Sequence, residues 1–178
     1  DYLTRFASLM RQYLDSSRET VLPLEQEIAL LTNYTDLEQM RFEELFRVDI
    51  KVADELMRSG IQIPTMIIQP FVENAINHGL SERRDGKGYL GIHFSQLAQD
   101  TLCCTITDNG IGRKRAGQRT RAGHRSRGMQ IVQDKIDTLL AADLVKVHYT
   151  IADANPSDED FPGTVVTIYF KFLDDANN

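Results

Sequence analysis

The sequence has little cysteine and no long apolar run. Its two cysteines, Cys103 and Cys104, are adjacent. Neighbouring residues of a strand point to opposite faces, so these two are poor disulfide partners, and they lack the spacing of metal ligands. Buried thiols in a reducing compartment are the interpretation we favour. The apolar runs are only a few residues long, which excludes a bilayer-spanning segment.

An overall positive charge is also missing. The 178 residues carry a formal net charge of -6, which argues against a general nucleic-acid binder. The charge is uneven, because residues 113–127 contain seven basic side chains and no acid. A basic run is usually a solvated surface. Because glycines bound this segment, a phosphate-binding loop is a good alternative.

What is present is the composition of an ordinary globular protein. With 42% apolar and 26% charged residues, the chain is long enough for one well-buried domain and an appendage. No internal repeat occurs. The chain does not begin with methionine and starts inside an apolar-periodic segment, so we expect it to be part of a longer protein.

The first 45 residues are predicted to be helical. Tyr2, Phe6, Leu9 and Tyr13 recur at helical spacing and predict a helix over residues 2–18. Its apolar face either packs within this chain or forms half of a dimerising helical hairpin, and both interpretations stay open. A second helix is predicted to open at Pro23 and to run to about residue 44.

The remaining residues are predicted to form one domain of mixed strands and helices. Alternating apolar residues predict a strand at 46–53. Further strands are predicted at 61–63, 89–97, 101–107, 145–151 and 164–172. Residues 54–60 are expected to form a turn. One helix is predicted to open at Pro64, bend at Pro70 and end at Gly79. A second covers residues 128–141, and we expect a mobile loop at 113–123 and a disordered tail at 174–178.

The motif Asp108-Asn109-Gly110-Ile111-Gly112, directly after a predicted strand, carries the most specific chemistry. Its glycines admit backbone angles closed to other residues and let a flat ligand approach the main chain. The carboxylate at the strand end can accept a hydrogen bond from an exocyclic amine. A lone match of this kind is more often a hairpin turn, so the neighbouring motifs decide its interpretation.

Three further motifs accompany it: P-F-V-E-N-A-I-N-H-G at 70–79, a glycine-bounded basic segment at 123–128, and G-T at 163–164. With these four motifs in order, the chain resembles the GHKL ATPases. Within that superfamily, residues 69–79 are similar to the Q-P-[LF]-V-E-N-A-x-x-H-G signature of LytS-type sensor histidine kinases, and the resemblance covers nearly the whole chain.

The resemblance implies an α/β fold. It predicts a two-layer α/β sandwich of the histidine-kinase ATPase type, with a mixed sheet and helices on one face. Residues 46–173 would be the ATP-binding catalytic domain. Residues 1–45 would be a preceding helical segment that holds part of a dimerisation region and a connecting helix.

The resemblance also implies a role for each motif residue. Asn74 matches a Mg²⁺ ligand, and Asn77 matches a position that faces the phosphates. His78 matches a position beside the nucleotide base. Asp108 matches the acceptor of the adenine N6 amine. Gly110 and Gly112 match two glycines that let adenine and ribose approach, and Thr164 matches a threonine near the adenine. The phosphate-binding second glycine box is matched by Gly123, Arg125, Arg127, Gly128 and Met129.

A catalytic role for Glu73, beside Asn74, would be to polarise the attacking group, although a solvated or capping acid is an equally good interpretation. Two features depart from the family pattern. Ser126 stands where the second glycine box has a glycine. The P-H-F motif of the phospho-accepting histidine is absent, and none of the four histidines, His78, His93, His124 and His148, lies on the predicted dimerisation helix.

The first hypothesis is therefore an ATP- and Mg²⁺-binding catalytic domain that phosphorylates a histidine upstream. The resemblance implies a homodimeric, inner-membrane sensor whose catalytic end is cytoplasmic, without direct nucleic-acid binding. Its partner would be a response regulator, commonly of the LytTR type. A nucleotide-gated interaction module without efficient phosphotransfer is the alternative. An ATP-hydrolysing machine is disfavoured, because its catalytic glutamate position is occupied by Pro70.

Overall fold

A computed structural model describes residues 2–43, 45–57, 59–113, 127–142 and 144–173. The helices within these ranges are α1 (Tyr2–Ser16), α2 (Leu24–Arg41), α3 (Asp54–Met57), α4 (Gln69–Asn74), continued by a π-helical segment (Ala75–Leu80), and α5 (Arg127–Ala141). The strands are β1 (Val21–Pro23), β2 (Phe46–Val52), β3 (Gln62–Pro64), β4 (Gly88–Ala98), β5 (Thr101–Asp108), β6 (Val145–Ala152) and β7 (Thr164–Phe172).

Five strands form the central sheet in the order β2-β4-β5-β7-β6. β2 pairs with β4 in parallel and the other neighbours are antiparallel, which confirms the predicted mixed sheet. α4 with its π-helical continuation and α5 pack against this sheet. The core between the layers is apolar and includes Phe46, Ile76, Leu90, Ile92, Cys104, Val132, Ile168 and Phe170. The predicted two-layer α/β sandwich is confirmed.

A separate two-stranded sheet joins the helical segment to this domain. Val21–Pro23 pairs antiparallel with Gln62–Pro64. The first of these strands was not predicted, because Pro23 was assigned to the start of the second helix, whereas it ends β1 and α2 begins at Leu24. The second lies outside the central sheet. Beside this pair, the Thr65 amide donates to the Thr20 carbonyl at 3.2 Å and its hydroxyl donates to the Glu19 carbonyl at 2.9 Å.

The predicted start of the helix that carries the asparagine motif was wrong. Pro64 ends β3, and Met66 then adopts a left-handed conformation with φ 62°. The helix begins only at Gln69, so Pro70 lies in its first turn. A proline there removes no intrahelical hydrogen bond, because the first-turn amides have no intrahelical partner. The predicted bend at Pro70 is therefore also wrong.

Three further local predictions need correction. Gly79 does not end the helix, because the π-helical segment continues to Leu80 and the Ser81 amide donates to the Ile76 carbonyl at 2.8 Å. Residues 54–60 are not only a turn, since Asp54–Met57 is a short helix that buries Leu56. Helix α2 ends at Arg41, about three residues before the predicted boundary.

Helix α1 packs against α2 through part of its apolar face. Leu9 is 3% exposed, whereas Leu3 is 70% and Leu14 is 67% exposed. Packing within the chain therefore covers only part of that face. No helix in the described part of the chain is both long and apolar enough to cross a bilayer. Residues 114–123 and 174–178, for which a mobile loop and a disordered tail were predicted, lie outside the described residues.

Candidate functional site

The candidate site is built around Asp108, the last residue of β5. Its side chain is buried, with 2% exposure. The carboxylate accepts a hydrogen bond from the Gly110 amide at 2.9 Å and another from Thr164, which is its register partner on β7. Burial raises the pKa of Asp108 to about 6, although these hydrogen bonds oppose the rise. A buried acceptor at a strand end suits recognition of a polar group on an otherwise flat ligand.

Two glycines bring the asparagine helix against the Asp108 turn. A Cβ on Gly110 would lie 2.3 Å from the Gly79 carbonyl carbon. A Cβ on Gly79 would lie 2.8 Å from the Asp108 Oδ1 atom. The Ile111 amide also donates to the Gly79 carbonyl at 3.2 Å. Two motifs 30 residues apart in sequence therefore meet backbone to backbone, which only residues without a side chain permit.

The fourth motif joins them from β7. The Gly163 amide donates to the Gly110 carbonyl at 3.0 Å. Gly163 has φ 59°, and a Cβ there would lie 2.1 Å from the Asp108 carbonyl oxygen. Gly112 has φ 73° and contacts Pro162. The three sequence motifs around residues 79, 110 and 163 thus converge on one carboxylate.

The polar residues of the asparagine motif take different positions. Asn74 is half-buried, and no residue that the structure describes forms a hydrogen bond with its side chain. The exposed Asn77 accepts a hydrogen bond from the Arg41 Nη2 atom at 2.7 Å and is also hydrogen-bonded to Tyr34. Both of these partners lie on α2. His78 is exposed and directly precedes Gly79.

Glu73 faces the helical segment. Its carboxylate accepts a hydrogen bond from the Gln69 Nε2 atom at 2.7 Å. Burial raises its pKa, and that hydrogen bond opposes the rise. It interacts electrostatically with Tyr13, Tyr34 and Glu38, all of which belong to α1 or α2. This position makes Glu73 part of the contact between α4 and the helical segment, and its catalytic role stays a prediction.

The second glycine box is only partly described. Arg127 is the first residue of α5, and Gly128 and Met129 lie in its first turn. Among the described residues, a Cβ on Gly128 would meet only the Pro70 Cβ atom, at 3.7 Å, so the start of α5 lies beside the start of α4. The amides at the N-terminus of a 15-residue helix form a site that favours anions. Gly123, Arg125 and Ser126 lie outside the described residues.

Sequence reasoning missed the residues that hold the Asp108 turn. The Asn109 Oδ1 atom accepts a hydrogen bond from the Tyr89 amide at 2.7 Å, and its Nδ2 atom donates to the Lys87 carbonyl at 3.0 Å. These two hydrogen bonds fix the turn to the start of β4. Arg83, which belongs to none of the four motifs, donates to the Asn109 carbonyl at 2.6 Å. No sequence pattern signals this contact of Arg83, because Asn109 lies 26 residues further along the chain.

The oxygen atoms available at this site fit a Mg²⁺ ion that is bound mainly by the phosphates of a ligand and by water. The described residues contain no cluster of His, Cys, Asp or Glu that could hold a metal alone. Mg²⁺ prefers oxygen ligands, retains several waters and commonly shares phosphate oxygens with one or two protein groups. The amide oxygen of Asn74, which has no hydrogen-bond partner among the described residues, is a suitable protein ligand of this kind.

The comparisons with known proteins agree with this geometry. The model of the histidine kinase family matches residues 1–46. The sensor protein LytS of Oceanobacillus iheyensis is 34% identical over 110 residues, which covers 62% of this chain and 18% of that protein. LytS of Bacillus subtilis is 30% identical over 111 residues, with the same two coverages. The chain thus spans less than a fifth of the curated relatives it matches.

The structural comparison extends over nearly the whole chain. The histidine kinase domain of the Erythrobacter litoralis EL346 blue-light activated histidine kinase superposes with a TM-score of 0.61. The superposition covers 97% of this chain and 75% of that domain at 15% sequence identity. This similarity shows the fold alone. The chain has the fold of a histidine kinase catalytic domain. Over 62% of its length, it is also similar in sequence to the LytS sensor histidine kinases.

Proposed function

We propose that this chain is the ATP-binding catalytic domain of a sensor histidine kinase. It binds ATP with Mg²⁺ and transfers the γ-phosphate to a histidine that lies upstream of Asp1 in the parent protein. The observation that carries this proposal is the buried Asp108 carboxylate, on which three glycine-bearing motifs converge. An adenine N6 amine is the natural donor to that carboxylate, whereas the carbonyl oxygen of guanine offers no hydrogen there.

The remaining motif residues would bind the phosphates. The Asn74 amide oxygen is suited to Mg²⁺, which neutralises phosphate charge when bound. The N-terminus of α5 with Gly128 and Met129, and the arginines of the basic segment, suit the phosphate oxygens. Phosphoryl transfer needs mainly positioning and charge stabilisation, so this set supplies the required chemistry without a protein nucleophile of its own.

The phosphate acceptor and the partners follow from the same proposal. His78, His93 and His148 lie in the π-helical segment, β4 and β6, so none of these three is on α1 or α2. The acceptor histidine would belong to the preceding helix of a homodimer. The phosphate would then pass to an aspartate of a response regulator, commonly of the LytTR type. The parent would be an inner-membrane sensor with this domain in the cytoplasm.

One alternative has specific support. Ser126 replaces a glycine of the second glycine box, and α1 leaves Leu3 and Leu14 largely exposed. Both features favour a nucleotide-gated interaction module that binds ATP without efficient transfer. This alternative shares the Asp108 site and differs only in the chemical step.

A phosphorylation assay on the full-length parent separates the two. The protein is incubated with ATP labelled at the γ-phosphate, and the product is tested for acid-labile, base-stable phosphohistidine. We expect label in the wild-type protein and none in the Asp108→Ala variant. ATP binding without any phosphohistidine would contradict the kinase proposal and favour the interaction module.

A further inference from the structure

The Arg83 side chain contacts three residues around the Asp108 turn. Its Nη1 atom donates to the Asn109 carbonyl at 2.6 Å. Its Nε and Nη2 atoms donate to the two oxygens of Asp85 at 2.9 and 3.2 Å. Its guanidinium carbon lies 4.2 Å from the centroid of the Phe161 ring. The side chain is only 12% exposed, so these contacts are largely shielded from water.

The contacts connect segments that are distant in sequence. Asn109 directly follows the Asp108 carboxylate, and Phe161 lies just before Gly163 and Thr164. Gly163 donates to the Gly110 carbonyl, and Thr164 donates to the Asp108 carboxylate. One guanidinium therefore holds both the turn that carries the acceptor and the segment that leads into its hydrogen-bond partner.

The geometry requires arginine rather than any cation. A planar guanidinium can donate in bidentate fashion to Asp85, donate a further bond to a carbonyl and stack on an aromatic ring at the same time. A lysine ammonium retains the charge but offers neither the fork nor the flat surface. Arg84, the next residue, is exposed and has no described side-chain partner, which provides a matched comparison within the chain.

We infer that Arg83 is a positioning residue for base recognition, which fixes the Asp108 carboxylate against the C6 substituent of a purine nucleotide. This inference rests on the proposed function, because it assumes that the site binds adenine. It goes beyond that function, since Arg83 acts through the Asp108 turn without contacting the phosphates. Loss of Arg83 therefore weakens selection between purines more than it weakens binding of the diphosphate.

The experiment compares Arg83→Lys with Arg84→Lys. Calorimetric titration measures the dissociation constants of ADP and inosine diphosphate, which carries a carbonyl where ADP carries the amine. We expect Arg83→Lys to lower the ADP preference by about tenfold, the size of one hydrogen bond, and Arg84→Lys to leave it within twofold of wild type. A change in melting temperature alone, with the preference intact, would mean a structural role and would overturn the inference.

A second variant protects the test against misfolding. Phe161→Leu removes the stacking surface and leaves the guanidinium with its hydrogen bonds. We expect it to lower the ADP preference by about threefold, because only the cation–π contact is lost. An unchanged preference in both Arg83→Lys and Phe161→Leu contradicts the inference alone. A wild-type chain that binds neither nucleotide contradicts the proposed function and the inference together.

Discussion

At the scale of single residues, Asp108 combines deep burial with an ionisable group. Its pKa of about 6 means that the folded protein holds this proton at a higher pH than an unfolded chain does. The carboxylate is ionised at pH 8 and protonated at pH 5. An ionised carboxylate only accepts hydrogen bonds, whereas the protonated form presents an O–H to a donor such as an amine. We therefore expect the proposed adenine recognition at this residue to be sensitive to pH.

The Asp108→Asn variant tests this sensitivity. We expect wild-type affinity for ADP to fall as the pH drops from 8 through 6 to 5. The variant retains an acceptor oxygen but cannot ionise, so we expect weaker binding at pH 8, by about tenfold, and a smaller dependence on pH. Calorimetric titrations at each pH provide the dissociation constants. The protonation of ADP itself changes with pH in the same way in both experiments. Parallel pH profiles of the two proteins would therefore contradict the assigned role of Asp108.

At the scale of elements, glycines decide how the asparagine helix meets the central sheet. Gly110 and Gly79 are in backbone contact, and there is no room for a methyl group between them. Gly128 is different, because a Cβ there would make an ordinary contact of 3.7 Å with Pro70. Packing therefore requires a glycine at position 110, whereas the described neighbours of Gly128 leave room for a Cβ.

We predict opposite outcomes for alanine at these two positions. Gly110→Ala should lower the free energy of unfolding by about 2–3 kcal/mol, since overpacking against rigid backbone is destabilising. Gly128→Ala, in the first turn of α5, should leave it unchanged or raise it by up to about 1 kcal/mol. Urea unfolding measures both values. Equal stability of the two variants would show that the helix and the turn are not in the contact described.

Element by element, periodic patterns predicted most of the fold. The alternation at Phe46–Val52 and the hairpin of β4 and β5 needed only local signals, and their predicted bounds lie within about two residues of the structure. The start of α4 was misplaced because Pro64 is equally compatible with a strand end and a helix start. The asparagine and glycine motifs predicted the candidate site, and Gly79, Gly110 and Gly163 do meet around Asp108. Its supporting contacts, such as that of Arg83 with Phe161, are set by tertiary packing and have no local signature.

At the scale of the whole molecule, a buried polar contact joins the helical segment to the domain. Glu27 of α2 is 4% exposed, and burial raises its pKa to about 7, although Lys135 of α5 opposes this. The Lys135 ammonium forms a hydrogen bond with the Thr65 hydroxyl, and burial lowers its pKa. The helical segment, the β3–α4 connection and α5 therefore meet around one poorly solvated carboxylate.

This junction predicts a pH-dependent stability. Because the folded-state pKa of Glu27 is raised above the ordinary 4.5, the folded protein binds the extra proton between about pH 4.5 and 7, and this contribution to stability is lost as the pH rises through 7. Relative to wild type, Glu27→Gln should gain on the order of 2 kcal/mol in unfolding free energy between pH 5 and pH 8.

Urea unfolding at both pH values checks this prediction, with Glu25→Gln on the same helix as the control. We expect the control to shift equally at the two pH values. If Glu27→Gln also showed the same stability difference from wild type at pH 5 and pH 8, the carboxylate would not be buried at this junction.

The measurement that tests the central claim most directly is a calorimetric titration of this chain with a non-hydrolysable ATP analogue. It is performed with and without Mg²⁺ and repeated with the corresponding GTP analogue and with Asp108→Ala. We predict Mg²⁺-dependent binding that the GTP analogue does not reproduce and that Asp108→Ala abolishes. Equal affinity of wild type and Asp108→Ala for the ATP analogue would contradict the account of the site.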